Sequence, residues 1–259
     1  MHHLCRRADL QLGNLKKGED CSLKEEASLM RSYSAGLRCL AVIAAVTSVL
    51  ACSSSDAPAT SPPIEPYPAA SADYRLESFS GIALEVPAHW TVLDSDTRRN
   101  LALAGEQRFQ SSAYGGGEEA EDKETVLAIN ATPSPHGAMI RVSRNKSMQD
   151  VTSDAIYQMS RADLNATSDE FASMFRPILP EFVSMSGVER VAISGGWALK
   201  VSYLRKSTRL NNQDLWEVDQ YIIPSDSGIV WQVTLSRRVG DRLLWDPILD
   251  RVLRTIRIR

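Results

Sequence analysis

Cysteine is confined to one end of this chain. Its 259 residues hold four cysteines, Cys5, Cys21, Cys39 and Cys52, and none follows Cys52. A disulfide framework, a cysteine-based zinc centre and a thiol nucleophile are therefore excluded from everything beyond that point. Histidine is almost as scarce, with only His89 and His136 after the first three residues. Ser-His-Asp catalysis thus has two histidines to draw on, one beside a strand-ending proline and one in a proline-rich loop. Basic surplus is lacking too: the formal net charge is −3, which argues against a nucleic-acid partner. There is no nucleotide-binding glycine pattern, no P-loop, no zinc-protease helix signature and no nucleophile elbow. With 43% hydrophobic and 24% charged residues, the composition is that of a globular chain rather than a disordered or fibrous one.

The N-terminal part carries the most specific signal. Arg31 and Arg38 precede an apolar run from Cys39 to Ala51, with no acidic residue between Met30 and Cys52. Thirteen helical residues reach about 20 Å, short of the ~30 Å hydrocarbon core. The run therefore suits a secretory signal better than a membrane span. It ends in Val49-Leu50-Ala51-Cys52, which resembles a bacterial lipobox. That resemblance implies that residues 30–51 are a lipoprotein signal peptide cleaved before Cys52. It also implies that Cys52 takes a diacylglycerol on its thiol and a palmitate-type chain on its new amine. Three acyl chains exceed what stable anchoring to a lipid bilayer needs. Ser53 in the following position resembles the pattern for the outer membrane, with the chain facing the periplasm. Residues 1–29 are expected to be an extension ahead of a better start at Met30, so Cys5, Cys21, His2 and His3 carry no functional assignment.

Residues 52–73 comprise the lipidated cysteine and a segment rich in serine, alanine and proline. Five prolines between Ser53 and Asp73 favour an extended, semi-stiff tether.

Residues 74–259 read as one mixed domain. Ile82 to Val86 forms a short strand ending at Pro87, and Trp90 to Leu93 a second. Thr125 to Ala131 and Ala138 to Ser143 form a strand pair. Between these groups, Tyr114 to Asp122 combines three glycines with clustered acids and reads as a surface loop. The centre is helical: caps at Asp150 to Asp154 precede Ile156 and Met159. A second helix is expected to open at Thr167-Ser168-Asp169-Glu170, carrying the stripe Phe171, Met174, Phe175, Ile178 and Leu179, with Pro177 and Pro180 kinking or ending it. Val188 to Ser194 and Trp197 to Leu204 suggest a hairpin turning at Gly195-Gly196. Leu215 to Ile223 and Ile229 to Ser236 extend it to a meander. A closing helix, Asp241 to Arg254, sets Leu244, Ile248, Val252 and Leu253 towards the core. Antiparallel strands with helices over a face give an α+β fold. The order of elements, with Val86-Pro87-Ala88-His89-Trp90, the meander and Trp245-Asp246-Pro247-Ile248-Leu249, resembles the PsbP-like family of α/β/α sandwiches from about Phe79 to Ile258. The resemblance implies an accessory or binding role and assigns no catalytic residue.

Five constellations remain as candidates for chemistry. Glu217 and Asp219 share a strand face, where they suit either a carboxylate pair for glycoside hydrolysis or a solvated outer surface. Glu118, Glu119, Glu121 and Asp122 carry Ca²⁺-type ligands on a glycine-flanked loop that lacks a fixed frame. Arg205, Lys206 and Arg209, with Arg237, Arg238 and Arg242, form an anion-binding rim if their strand ends adjoin. Trp90, Trp197, Trp216, Trp231 and Trp245 either line an aromatic groove or pack in the core. His89 reads as a turn residue. The reading favoured is a membrane-anchored envelope lipoprotein. Its domain binds a partner protein or envelope component without catalysis, cofactor or metal. A small-ligand module using an aromatic groove and an envelope hydrolase are the alternatives.

Overall fold

The computed structural model describes residues 62, 67–100, 123–132, 137–145, 151–207 and 214–258. The signal segment, the lipobox with Cys52, most of the tether, the acidic loop 118–122, His136 and Arg209 lie outside the described residues.

Among the described residues, ten strands form two sheets. A three-stranded antiparallel sheet pairs β1 (Tyr74–Phe79) with β2 (Ile82–Pro87) and β2 with β10 (Arg257–Ile258). A seven-stranded antiparallel sheet runs in the order β3-β4-β5-β9-β8-β7-β6. Its strands are β3 (Thr91–Val92), β4 (Lys123–Asn130), β5 (Ala138–Asn145), β6 (Phe182–Ile193), β7 (Gly196–Lys206), β8 (Leu215–Pro224) and β9 (Val230–Arg238). Helices α1 (Ser153–Gln158) and α2 (Arg161–Ile178) cover one face. Helix α3 (Arg242–Arg254) and the small sheet cover the other. The fold is therefore α+β, an antiparallel sheet layered between helices, with a second small sheet on the α3 side.

Alternation along the strands builds two cores on opposite faces of the large sheet. On the α3 side, Ile140 and Val142 of β5, Val233 and Leu235 of β9 and Ile223 of β8 meet Ile82, Leu84 and Val86 of β2 and Trp245, Leu249 and Val252 of α3. On the α2 side, Leu199, Val201 and Tyr203 of β7 and Val218 and Ile222 of β8 meet Ile156, Leu164 and Phe175. Strand β2 is buried along nearly its whole length, because the large sheet packs on one of its faces and helix α3 also meets it.

Local chemistry explains where elements start and stop, and corrects several sequence expectations. Helix α2 begins at Arg161 rather than Thr167. Ser160 caps it, accepting from the Asp163 N–H at 3.2 Å, while Asp163 accepts from the Ser160 N–H at 2.8 Å. This reciprocal capping box outcompetes the Thr-Ser-Asp-Glu signal that begins seven residues after Ser160. Thr167 is instead a buried helical residue whose hydroxyl donates to the Asp163 carbonyl. The helix ends at Ile178, just past Pro177 and before Pro180, as its prolines require.

The β6–β7 hairpin turns at Ser194-Gly195, one residue earlier than expected, since Ile193 pairs with Gly196. Both turn residues have positive φ, 55° and 80°. Ser194 tolerates that backbone because its hydroxyl accepts the Ile258 N–H at 2.8 Å, tying the turn to β10. Strand β1 alternates Tyr74 and Leu76 with Arg75 and Glu77 but escaped the sequence reading; as an edge strand it exposes Leu76. On α3 the buried stripe is Trp245, Leu249 and Val252, and Leu244 lies outside it.

Candidate functional site

The two carboxylates that sequence pattern placed together, Glu217 and Asp219, are not solvated. They are buried on the α3 side of β8, where Tyr221 and Ile223 continue the same face into the core. Cross-strand register puts Glu217 directly opposite Arg237 of β9. The Arg237 guanidinium reaches Glu217 at 3.0 Å and Asp219 at 2.9 Å, and its Nε faces Asp246 of α3. Arg242, also on α3, donates from Nε to Glu217 at 2.8 Å. Asp219 accepts the Ser202 hydroxyl of β7 at 2.6 Å and lies 3.7 Å from the Lys200 ammonium, which also pairs with Glu189 of β6 at 3.0 Å.

The result is a continuous network from β6 to α3 with four carboxylates and three cations. Burial opposes the charge on Arg237, but the Asp219 hydrogen bond and the three surrounding carboxylates outweigh it and hold the guanidinium above its ordinary range. Lys200 shows the same balance: desolvation lowers it, and Asp219 and Glu189 raise it further than burial depresses it. The Tyr221 hydroxyl is pushed strongly upward, first by burial and then by the nearby Asp219 charge, so it stays protonated.

This arrangement is a clamp. Both oxygens of Asp219 are engaged, and Glu217 is held by two guanidiniums. Taking one partner away leaves an uncompensated charge inside the protein, which is what makes such a network rigid. The carboxylates are therefore tied to β7, β9 and α3 by their ion pairs rather than standing as a separated acid–base pair.

The expected basic rim resolves the same way. The ends of β7, β8 and β9 do adjoin: Arg205 pairs with Trp216, and Trp216 with Arg238. But Arg237 and Arg242 are absorbed by the network, and Arg238 pairs with Asp214 at 3.1 Å and with Asp241. Arg205 stacks over Trp216 at 5.2 Å. Arg237, Arg238 and Arg242 are thus neutralised within the fold and do not form an anion-binding rim.

The five tryptophans divide between two faces rather than lining one groove. Trp90, Trp231 and Trp245 lie in the core on the α3 side, Trp90 meeting Trp245 edge-to-face at 5.6 Å. Trp197 stacks on Tyr157 of α1, with Arg190 over both rings, and Trp216 sits under Arg205. His89 is an exposed turn residue.

Sequence reasoning missed Lys200, Ser202 and Asp246. The signal for the first two was the alternation phase: Lys200 and Ser202 share the β7 face of Ala198, as Glu217 and Asp219 share that of Tyr221. Asp246 required the docking of α3, which no local pattern specifies.

No helix among the described residues is long and apolar enough to cross a membrane. No group of three or more metal-ligating side chains occurs among the described residues. The layers and the buried clamp define the class, an antiparallel α+β sandwich. Similar solved structures include the solution structure of cyanobacterial PsbP (CyanoP) from Synechocystis, at 11% identity over 74% of this chain and 95% of that one, with a TM-score of 0.44. LpqN, involved in cell envelope biogenesis of Mycobacterium tuberculosis, is similar at 14% identity over 71% of this chain and 90% of its own, TM-score 0.35. A protein of unknown function from Pseudomonas aeruginosa is similar at 13% identity over 72% and 97%, TM-score 0.34. No family model and no curated protein sequence matches the chain.

Proposed function

We propose that this chain is a bacterial envelope lipoprotein, held to the outer membrane through acylated Cys52, whose α+β domain docks a partner protein or envelope component in a non-catalytic accessory role. The lipobox-like Val49-Leu50-Ala51-Cys52, followed by a proline-rich tether, is the observation that carries the anchoring. The docking half rests on α3. Its Leu243 is 97% exposed and Leu244 58% exposed, with Pro247 exposed one turn on. Burying two leucines contributes about 3–6 kcal/mol, so leaving them in water marks a face that a partner covers. The clamp beneath, through Arg242 and Asp246, fixes this end of α3 to the sheet and gives the face a rigid base.

In-cell crosslinking from the Leu243 position, followed by mass spectrometry, tests the docking role. One dominant envelope component is expected, lost in the Leu243→Asp/Leu244→Asp variant at unchanged protein level. Absence of a reproducible partner, or one retained by that variant, contradicts it.

A further inference from the structure

Residues 67–71 belong by composition to the proline-rich tether, yet they are bound to the domain. A turn just ahead of β1 redirects the chain: the Tyr74 N–H donates to the Ser71 carbonyl and the Asp73 N–H to the Ser71 hydroxyl, both at 3.2 Å. Beyond that turn the Ala69 carbonyl accepts from Arg251 of α3 at 2.8 Å. Two residues further towards the anchor, the Tyr67 ring lies under the Arg257 guanidinium of β10, 4.7 Å from its centroid. The Tyr67 hydroxyl hydrogen-bonds to Glu85 of β2.

The partners of this segment form one seat. Arg257 stands opposite Ala83 on β2, and Glu85 lies two residues along, so both side chains occupy the face of the small sheet turned away from Ile82, Leu84 and Val86. Glu85 also accepts from Arg251 Nε at 3.1 Å, and Arg251 lies over the Tyr74 ring at 4.4 Å. Arg257 is held from behind, donating to the carbonyls of Arg254 at 2.8 Å and Ile256 at 2.6 Å. The seat is thus built from α3, β2 and β10 before the tether reaches it. Tyr67 precedes Pro68, which confines it to extended backbone in the free chain as well, so seating it forfeits little conformational freedom. Tyr67 belongs to neither core and is 46% exposed, so it is fastened at the surface rather than packed into the fold.

We propose that Tyr67–Ala70 is a strap that fastens the foot of the tether to the C-terminal end of α3. The chain then leaves the domain beside Arg257 rather than at the start of β1. At most the fourteen residues between Cys52 and Tyr67 remain as free tether, about 50 Å when fully extended. Without the strap the twenty-one residues ahead of Tyr74 would be free, about 75 Å. Leu243 and Leu244 lie at the other end of the same helix, roughly 17 Å along its axis. The strap therefore sets how far the leucine face can stand from the anchor and at which end of α3 the anchor pulls. That consequence rests on the anchor at Cys52, whereas the strap itself does not.

The test is limited digestion of the full chain in detergent with elastase, which cuts after small residues, with the fragments read by mass. It reports on the strap whether or not Cys52 is acylated, so strap and anchor fail separately. Cleavage after Ala69 and Ala70 is expected to be slow in the wild type and about tenfold faster in Tyr67→Ala, which loses the ring contact and the Glu85 hydrogen bond together. Arg257→Gln removes the ring contact from the other side and is expected to speed the same cuts by a smaller factor. The double variant is expected to cleave no faster than Tyr67→Ala alone, because both changes remove one contact. Cuts after Ala69 and Ala70 at the wild-type rate in both single variants overturn the proposal. So does a double variant in which the two effects multiply.

Discussion

Glu217 and Arg237 stand directly opposite one another on β8 and β9, and their side chains meet at 3.0 Å inside the protein. The same guanidinium also holds Asp219 at 2.9 Å, so one arginine compensates two buried carboxylates. Arg237→Met is therefore expected to destabilise the domain by about 3 kcal/mol, since it removes the charge both carboxylates share and leaves Glu217 to Arg242 and Asp219 to Ser202 and the more distant Lys200. The combined Glu217→Gln/Asp219→Asn/Arg237→Met variant should be closer to wild type than the single change. Urea unfolding of the set checks this; a single variant as stable as wild type contradicts the clamp.

Gly137 lies against the Trp245 ring. A Cβ added there would sit 2.5 Å from Cζ2 and 2.8 Å from Cε2 of that indole. Trp245 packs edge-on against Trp90, so the ring has no room to retreat. Gly137→Ala is expected to cost about 1–3 kcal/mol, and Trp245→Phe in the same chain to recover part of it. A thermal-melt cycle over the two positions measures the coupling, and strict additivity would rule the contact out.

Helix α2 starts at the Ser160–Asp163 capping box. Ser160→Ala should lower stability by about 1 kcal/mol. Thr167, which the sequence pattern offers as the competing start, is buried within the helix, so Thr167→Asp should be more damaging because it puts a charge into the packed side. The opposite ranking in chemical denaturation would place the start at Thr167.

Lys123 gives a pH dependence with a definite sign. Its folded value is about 8 against an ordinary 10.5. Between those values the unfolded chain holds more protons than the folded one, so stability rises with pH across that window. The contribution is complete above about 10.5 and is lost as pH falls through about 8. Solvent contact along this side chain moderates the size of the effect. Lys123→Met should flatten the rise measured by denaturation between these limits. Curves that superimpose would show that the group is unperturbed.

The fold was legible wherever one local rule acted alone. The strand pair β4–β5, the meander β7–β8–β9 and the closing helix follow from alternation and turn chemistry, and they appear within a few residues of their expected places. Strand β1 was missed although Tyr74 and Leu76 alternate with Arg75 and Glu77, because the run is short and follows directly on the proline-rich segment. The Glu217–Asp219 pair was found by phase, but its burial was not. Whether a polar stripe faces water or a helix depends on where α3 docks, and Leu244 against Trp245 decides that by packing rather than periodicity.

The anchor at Cys52 is best tested by the mass of the chain recovered from cells. The membrane fraction is expected to hold a chain beginning at Cys52 and carrying three acyl chains, and Cys52→Ser is expected to release the domain from that fraction. A chain that begins elsewhere without lipid, or a Cys52→Ser variant that stays membrane-bound after removal of residues 30–51, contradicts it.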